Sequence, residues 1–393
     1  MIIEPKVKGF ICTTAHPDGC RENVKRQITY IQEAAKKADL TNGIHPKKVL
    51  VLGASTGYGL ASRIAAAYIY GAATIGVMFE KPSNGRRTAT PGWYNTQAFD
   101  EFAKKDGYYS YSINGDAFSK EVKDQTIAQI KEDLGQVDMV IYSLAAPRRT
   151  TADGTTYSSV LKTTSCDFTN KSWNQKDDTV IEATITPATQ EEVTNTVKVM
   201  GGEDWIDWIS ALSNAGVLAE NATTIAYSYI GPKLTYPVYF NGTIGMAKKH
   251  LYDSSLKINE LFKEQGIRAY ISVNKALVTQ ASSAIPIVPL YFTILYKVMK
   301  EKGLHEGCIE QIGRLFMEKL SKDTPKTDEE GRIRLDDYEM REDVQKAVMD
   351  IWDNVTTENL KDVADLDGYW DDFYHMFGFR FDNVDYSRDV VLE

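Results

Sequence analysis

The sequence predicts an α/β fold, doubly wound around a mostly parallel sheet. Three observations carry this expectation. Val49, Leu50, Val51 and Leu52 are consecutive apolar residues, as in a strand buried on both faces. Gly53-Ala-Ser-Thr-Gly57-Tyr-Gly59 follows at once and leads into the helix-compatible run Leu60-Ala-Ser-Arg-Ile-Ala-Ala-Ala67. Strand and helix signals then alternate as far as Tyr142. A βαβαβαβ order closes most economically as a parallel sheet with helices on both faces.

Taken in order, residues 21–38 form a leading helix, because Val24, Ile28, Ile31 and Ala35 recur at helical spacing among charges. The first strand spans 49–52 and its helix about 58–70. The second strand, Thr74-Ile-Gly-Val-Met-Phe79, ends in Glu80. Pro91-Gly92 breaks the chain, and a helix covers about 95–106. Tyr108 to Ile113 alternates as a third strand and stops at Asn114-Gly-Asp-Ala117. Helix 119–134 leads to the fourth strand, Val137-Asp-Met-Val-Ile-Tyr142, which ends at Ser143-Leu-Ala-Ala-Pro147.

There the rhythm breaks. Residues from 148 to about 200 are rich in Thr, Ser, Asp and Asn, and Thr179 to Thr186 alternates like one arm of a hairpin. This segment reads as an insertion lying over the sheet edge. Strand signals return at 223–230 and 267–273, with a long helix of about 245–265 between them. The stretches 291–301 and 305–320 read as helices, and the acidic region 323–372 as a polar loop followed by more helices. No repeat or low-complexity linker divides the chain. Residues 1–393 are therefore expected to form one enlarged domain with an extra N-terminal helix, an insertion at about 148–200 and helical C-terminal additions.

Composition narrows the function. The chain is 43% hydrophobic and 25% charged, ordinary for a globular protein with a large core. Its net charge of −9 argues against nucleic acid as a partner, since phosphate binding wants a basic face. The N-terminus lacks a signal-peptide pattern. The longest apolar stretch, Ala284 to Tyr296, is interrupted by Pro286 and Pro289 and is too short to span a bilayer. Cysteines 12, 20, 166 and 308 fit a reducing compartment, so a cytoplasmic location is expected. Cys12, His16 and Cys20 lack both a fourth ligand and the tight spacing of a zinc site, and no metal is expected there.

The glycine turn carries the chemistry. A strand that turns through glycines into a helix aims unpaired N–H groups and the positive helix end at one point, where a pyrophosphate sits. Glu80 follows the last glycine by about 20 residues, where a dinucleotide-binding Rossmann-type unit places an acid for the ribose hydroxyls. A nicotinamide dinucleotide is the expected cofactor. Farther on stand Tyr239 and Lys248, separated by Phe-Asn-Gly-Thr-Ile-Gly-Met-Ala. Ordinary short-chain dehydrogenases place Tyr and Lys four apart on one helical face, where the lysine holds the ribose and acidifies the phenol. The longer gap puts Tyr239 before the helix and Lys248 inside its first turns. Tyr296 and Lys300 have the shorter spacing but lie about 150 residues after the fourth strand, in an amphipathic helix, and are not expected to be catalytic.

With these motifs the chain resembles the enlarged short-chain reductases known as trans-2-enoyl-CoA reductases and single-polypeptide bacterial enoyl-acyl-carrier-protein reductases. The resemblance runs from Pro5 to about Asp385. It is carried by Lys8 to Cys20, Gly53 to Ala61, Gly92-Trp-Tyr-Asn95, Asn114 to Phe118, Tyr142 to Arg149 and Lys198 to Trp205. Further matches are Ala226 to Gly231, Tyr239 to Lys249, Lys275 to Pro286 and Lys297 to Ile309. It implies that Gly53, Ala54, Ser55, Thr56, Gly57 and Tyr58 wrap the NAD pyrophosphate and that Phe79 and Glu80 meet the adenosine ribose. It further implies that Asp116 and Ala117 contact adenine and that Leu144, Ala145, Leu277, Val278 and Thr279 lie around the nicotinamide. Tyr239 would be the proton donor, Lys248 the cofactor-binding lysine, and Tyr229 the tyrosine that contacts substrate.

The implied activity is NADH-dependent reduction of the trans-2 double bond of an enoyl-CoA or enoyl-acyl-carrier-protein thioester. Hydride adds to the β carbon, the enolate charge spreads onto the thioester oxygen, and a phenol stabilises it there. Tyr239 is expected in that role, with Tyr229 as a second donor and Lys248 keeping Tyr239 acidic. Segment 284–300 is apolar enough to wall an acyl tunnel. A monomer is expected, because the insertion and leading helix can cover surfaces that smaller reductases bury by assembling. Two other readings remain open at this stage: a carbonyl reductase of the 3-ketoacyl type, which would want the Tyr-x3-Lys spacing, and a dinucleotide-sensing protein without chemistry.

Overall fold

The computed structural model describes residues 1–393 apart from Phe10, Ala281, Ser283, Ala284, Pro286, residues 321–324 and Glu393. A small hairpin, β1 (Val7–Lys8) and β2 (Ile11–Cys12), precedes helix α1 (Pro17–Ala35). Pro17 occupies the first helical turn, where its missing N–H costs nothing, and the His16 ring accepts the Gly19 N–H. This cap starts the leading helix several residues earlier than its apolar spacing alone suggests, and it gives His16 a place at a helix end.

The predicted alternation follows: β3 (Lys48–Leu52), α2 (Gly57–Tyr70), β4 (Ala73–Met78), α3 (Pro91–Lys105), β5 (Ser110–Asn114), α4 (Lys120–Asp133) and β6 (Val137–Tyr142). The insertion consists of two hairpins and a helix: β7 (Arg148–Thr150) with β8 (Thr156–Ser158), β9 (Phe168–Asn174) with β10 (Thr179–Ile185), and α5 (Gln190–Met200). Helix α6 (Glu203–Asn214) was not anticipated. Next come β11 (Leu218–Ser228), α7 (Thr243–Leu261), β12 (Arg268–Val273), α8 (Val288–Glu301) and α9 (Cys308–Arg314), which runs on as a π-turn through Lys319. The chain ends with β13 (Ile333–Arg334), α10 (Glu342–Asn354), α11 (Leu360–Val363) and α12 (Leu366–His375).

Seven strands form one sheet in the order β13-β12-β11-β6-β3-β4-β5, and every pairing in it is parallel. The order reverses at β3, and the crevice above the strand ends on either side of such a switch point is where open α/β sheets bind ligands. One face is packed by α1, α2, α3 and α9 around Val49, Val51, Met139 and Ile225. The other is packed by α4, α6 and α7 around Leu50, Leu52, Val140 and Ala226. A third apolar cluster covers the C-terminal ends of the strands. It joins α8, α10 and α12 and the β9–β10 hairpin to Tyr239, Leu277 and Val278.

Candidate active site

The glycine turn has the geometry its sequence requires. Gly53 (φ +83°) and Gly57 (φ +53°) are in the left-handed region. A side chain at Gly53 would strike the Ser143 carbonyl, and one at Gly59 would strike the carbonyl of Gly53, so strand and helix approach closely. Nothing lies within 4 Å of the position a side chain would take at Gly57, which borders open space. Thr56, the N-cap of α2, makes no side-chain cap bond, and the first turn holds no acid. The positive end of α2 therefore faces the crevice unneutralised. These features fit a pyrophosphate.

The neighbouring groups fit the rest of a dinucleotide. Ser55 Oγ donates to Glu80 Oε1 at 2.6 Å, and Asn114 grips the Glu80 backbone through both its N–H (2.8 Å) and its carbonyl (3.0 Å). Glu80 is thus held at the end of β4, beside the turn. Phe79 is 77% exposed, a free aromatic face at the same strand end. Asp116 caps its own loop by accepting the Phe118 N–H at 3.0 Å, and Ala117 is buried, its carbonyl taking the Trp208 indole N–H at 3.1 Å. Leu144 packs against Gly53 and Ala145 is exposed beyond β6. Tyr58 reaches farther than a turn residue need: its hydroxyl donates to the Lys275 carbonyl (3.1 Å) and to Gln311 (3.2 Å). It ties the glycine turn to the loop after β12. In that loop Val278 N–H donates to the Tyr296 hydroxyl at 3.0 Å, while Leu277 is buried and its carbonyl accepts from Ser282.

Tyr239 and Tyr229 meet edge to face, with ring centroids 4.7 Å apart. Tyr239 is 7% exposed, and its hydroxyl has no hydrogen-bond partner among the described residues. Burial, with Glu339 nearby, holds the phenol above its ordinary range. Burial is the largest influence on that phenol, and Glu339 acts in the same direction. Lys248 sits inside α7, where the wider spacing places it, and its Nζ donates to the Tyr227 carbonyl at 2.9 Å. Burial brings its ammonium down to about 8.

Tyr229 lies just beyond the end of β11. Its hydroxyl donates to Glu339 Oε1 at 2.9 Å, so its proton is already committed. Tyr291 of α8 donates to the same oxygen at 2.7 Å, and Ala276 N–H donates to Oε2 at 2.7 Å. Sequence reasoning missed Glu339, Tyr291 and the buried Lys275, whose ammonium burial lowers to about 8 and whose Nζ donates to the Ala276 carbonyl at 2.7 Å. Tyr296, set aside as a catalytic group, is fully buried and donates to Asp372 at 2.7 Å while it holds Val278. The apolar segment expected as an acyl wall is mostly α8, packed into the third cluster; Ala284 and Pro286 lie outside the described residues.

Comparison with known proteins gives a consistent picture. Residues 2–85 match the NAD(P)H binding domain of trans-2-enoyl-CoA reductase, and residues 87–321 match its catalytic region. Residues 327–390 match a model described as an enoyl reductase FAD binding domain. The chain is 59% identical over 393 residues to the enoyl-acyl-carrier-protein reductase (NADH) of Cytophaga hutchinsonii, covering 99% of this chain and 98% of that one. It is 52% identical to the trans-2-enoyl-CoA reductase (NADH) of Ruminiclostridium cellulolyticum, covering 100% and 98%. The crystal structure of Treponema denticola trans-2-enoyl-CoA reductase in complex with NAD superposes with a TM-score of 0.96 at 50% identity, covering 100% and 98%.

The residues present do not fit a flavin in 327–390. Tyr369, Phe373, Phe377 and Phe379 are packed into the third cluster. Asp336 is held by Arg334, Asp337 by Arg314 and Lys319, and Asp372 by Tyr296. Of the segment's buried carboxyl groups, Glu339 is the one bonded to Tyr229.

Proposed function

The chain belongs to the trans-2-enoyl-CoA reductase family, and on that premise we propose how its residues reduce the trans-2 double bond of enoyl thioesters. NADH, when bound, supplies the hydride. Gly53 to Tyr58 hold its pyrophosphate, Phe79 and Glu80 its adenosine ribose, Asp116 and Ala117 its adenine, and Leu144, Ala145 and Leu277 to Thr279 its nicotinamide half. The Lys248 ammonium, at the end of β11, binds the nicotinamide ribose.

The observation that carries the proton assignment is the Tyr239 hydroxyl. The residue is 7% exposed, burial holds its phenol above the ordinary range, and its hydroxyl has no hydrogen-bond partner among the described residues. A phenol in that state can donate to the thioester oxygen as charge develops on it, in a low-dielectric site where the bond is strong. The product is a saturated acyl thioester. Lys248 acts by holding the ribose rather than by acidifying the phenol.

We also read the chain as one working unit, because strands of a single sheet come from as far apart as Lys48 and Arg334. A monomer in the cytoplasm fits this reading: α1 packs against α2, α3 and α9, and Cys12 and Cys20 are buried free thiols. Enoyl-CoA or enoyl-acyl-carrier protein is the substrate.

NADH oxidation with crotonyl-CoA, dodecenoyl-CoA and a crotonyl carrier protein tests the function, with acetoacetyl-CoA as the ketone control. Turnover of enoyl thioesters alone is expected. Turnover of acetoacetyl-CoA alone would mark a carbonyl reductase, and turnover of none would mark a sensor. Sedimentation tests the monomer.

A further inference from the structure

Glu339 is fully buried and bonds to parts of the chain that come together only in the fold. Tyr229 lies 110 residues away, at the end of β11; Ala276 lies 63 residues away, in the loop after β12; Tyr291 lies 48 residues away, in α8. Strand β13 explains the convergence. It pairs Ile333 with Ser272 and Arg334 with Val273 of β12, and the Leu335 and Asp336 N–H groups both donate to the Val273 carbonyl. Residue 339 is thereby carried under the loop that β12 feeds. Gln345 closes the arrangement from α10 by donating to the Glu339 carbonyl at 2.7 Å.

The chemistry of this cluster is directional. A carboxylate only accepts. With Glu339 ionised, both phenol protons point at Oε1 and the Ala276 N–H points at Oε2. Burial raises the Glu339 carboxyl above its ordinary range, and Lys275 and the three donors work against that. Tyr229 consequently offers lone pairs, not a proton, to anything beside it. Its ring nevertheless packs on Tyr239, whose proton is uncommitted. One carboxylate thus fixes the orientation of the tyrosine beside the proton donor and anchors the loop that would line the nicotinamide.

We propose that Glu339 is a positioning residue for the reduction: it holds Tyr229 as a hydrogen-bond acceptor and ties the nicotinamide-side loop, at Ala276, to the acyl pocket wall, so that Tyr239 alone delivers the proton. The proposal rests on the enoyl-reductase reading.

Glu339→Gln is the direct test, made in the full-length chain. The amide has one acceptor and one donor end, so it cannot serve the phenols and the Ala276 N–H together; one wall is released. Hydrogen bonds to a charged group are worth about 1.5–3 kcal/mol. At 1.36 kcal/mol per tenfold, kcat for crotonyl-CoA should fall about 10- to 100-fold. The crotonyl-CoA KM should move less than about threefold, as expected when an interaction used in the transition state is lost. The Kd of NADH, titrated by its fluorescence without thioester, should weaken as the loop loosens. Glu339→Gln combined with Tyr229→Phe should be no slower than the slower single variant, because both act through one group. Losses that multiply, or a wild-type kcat in Glu339→Gln, overturn the proposal.

If Glu339→Gln does not fold, Tyr229→Phe carries the test. It removes one donor from the carboxylate and should slow turnover less than Tyr239→Phe does. A loss equal to or greater than that of Tyr239→Phe overturns the proposal. A wild-type enzyme inert toward every enoyl thioester would instead defeat the functional reading itself, so the two failures are distinguishable.

Discussion

Tyr239→Phe tests the proposed proton donor separately from the groups around it. The substitution deletes one oxygen. That oxygen has no hydrogen-bond partner among the described residues, so its removal strands no buried group. The ring stays, with its edge contact to Tyr229 at 4.7 Å and its place in the third apolar cluster. Stability should therefore change little, because the ring packing is kept and no partner is stranded. Turnover should behave quite differently. An oxyanion donor contributes about 2.7–4 kcal/mol to the barrier, or roughly 10²–10³ in kcat.

The assay is steady-state NADH oxidation at saturating crotonyl-CoA, paired with a thermal melt and a fluorescence titration of NADH. A kcat lowered by roughly two to three decades with melting temperature and NADH Kd unchanged is the expected result. Turnover near wild type would show that Tyr239 merely packs, and a parallel loss of NADH affinity would show that its hydroxyl serves the cofactor. The wild-type enzyme should also show no phenol titration at mildly alkaline pH, because burial keeps Tyr239 protonated there.

Two further predictions concern the cofactor. Glu80, held by Ser55 and Asn114, can accept from both ribose hydroxyls but repels a 2′-phosphate; Glu80→Ala should narrow the kcat/KM ratio between NADH and NADPH, and an unchanged ratio would refute its placement. Lys248→Ala should lower kcat and raise the NADH KM together, and a variant normal in both would refute the ribose contact. In the wild type, NADH Kd should weaken as pH rises through about 8, where Lys248 loses its proton, and Lys248→Met should abolish that dependence. The stability of the protein without cofactor has the opposite sign. The folded pKa lies below the ordinary 10.5, so between about 8 and 10.5 the unfolded chain binds the extra proton and the contribution of Lys248 to stability rises with pH. Lys248→Met should reduce that slope in thermal melts, leaving the share of Lys275, and an unaltered slope would count against the buried ammonium.

Much of the fold is written in local pattern. Val49 to Leu52, Thr74 to Met78 and Val137 to Tyr142 are apolar runs that only a sheet covered on both faces can bury, and they are the centre of this one. The elements at the margins are less legible. Helix α6 carries Trp205, Trp208, Ile209 and Leu212 at helical spacing, yet it follows Gly201-Gly202 and a polar insertion that hide its start. Strand β13 is two residues long and exists because β12 offers an open edge. No period can be read from two residues.

The same distinction separates the legible half of the site from the hidden half. The glycine turn is defined by neighbours in sequence, because a pyrophosphate needs one turn, whereas Tyr239 and Lys248 stand out from the other tyrosines and lysines only through the family resemblance. Glu339 is one of 54 acidic residues, in a stretch, Leu335-Asp-Asp-Tyr-Glu-Met340, with no periodicity to mark it. Its significance arises only when β13 docks on β12 and carries the carboxylate to Tyr229, Tyr291 and the Ala276 N–H. The β12–β13 pairing is thus one of the contacts that join the C-terminal region to the Tyr239 side, beside the packing of α10 and α12 on α8. Such a contact predicts that loosening the β12–β13 edge, far from Tyr239 in sequence, will slow the chemistry before it unfolds the sheet, because the carboxylate at its end is what holds the second tyrosine in place.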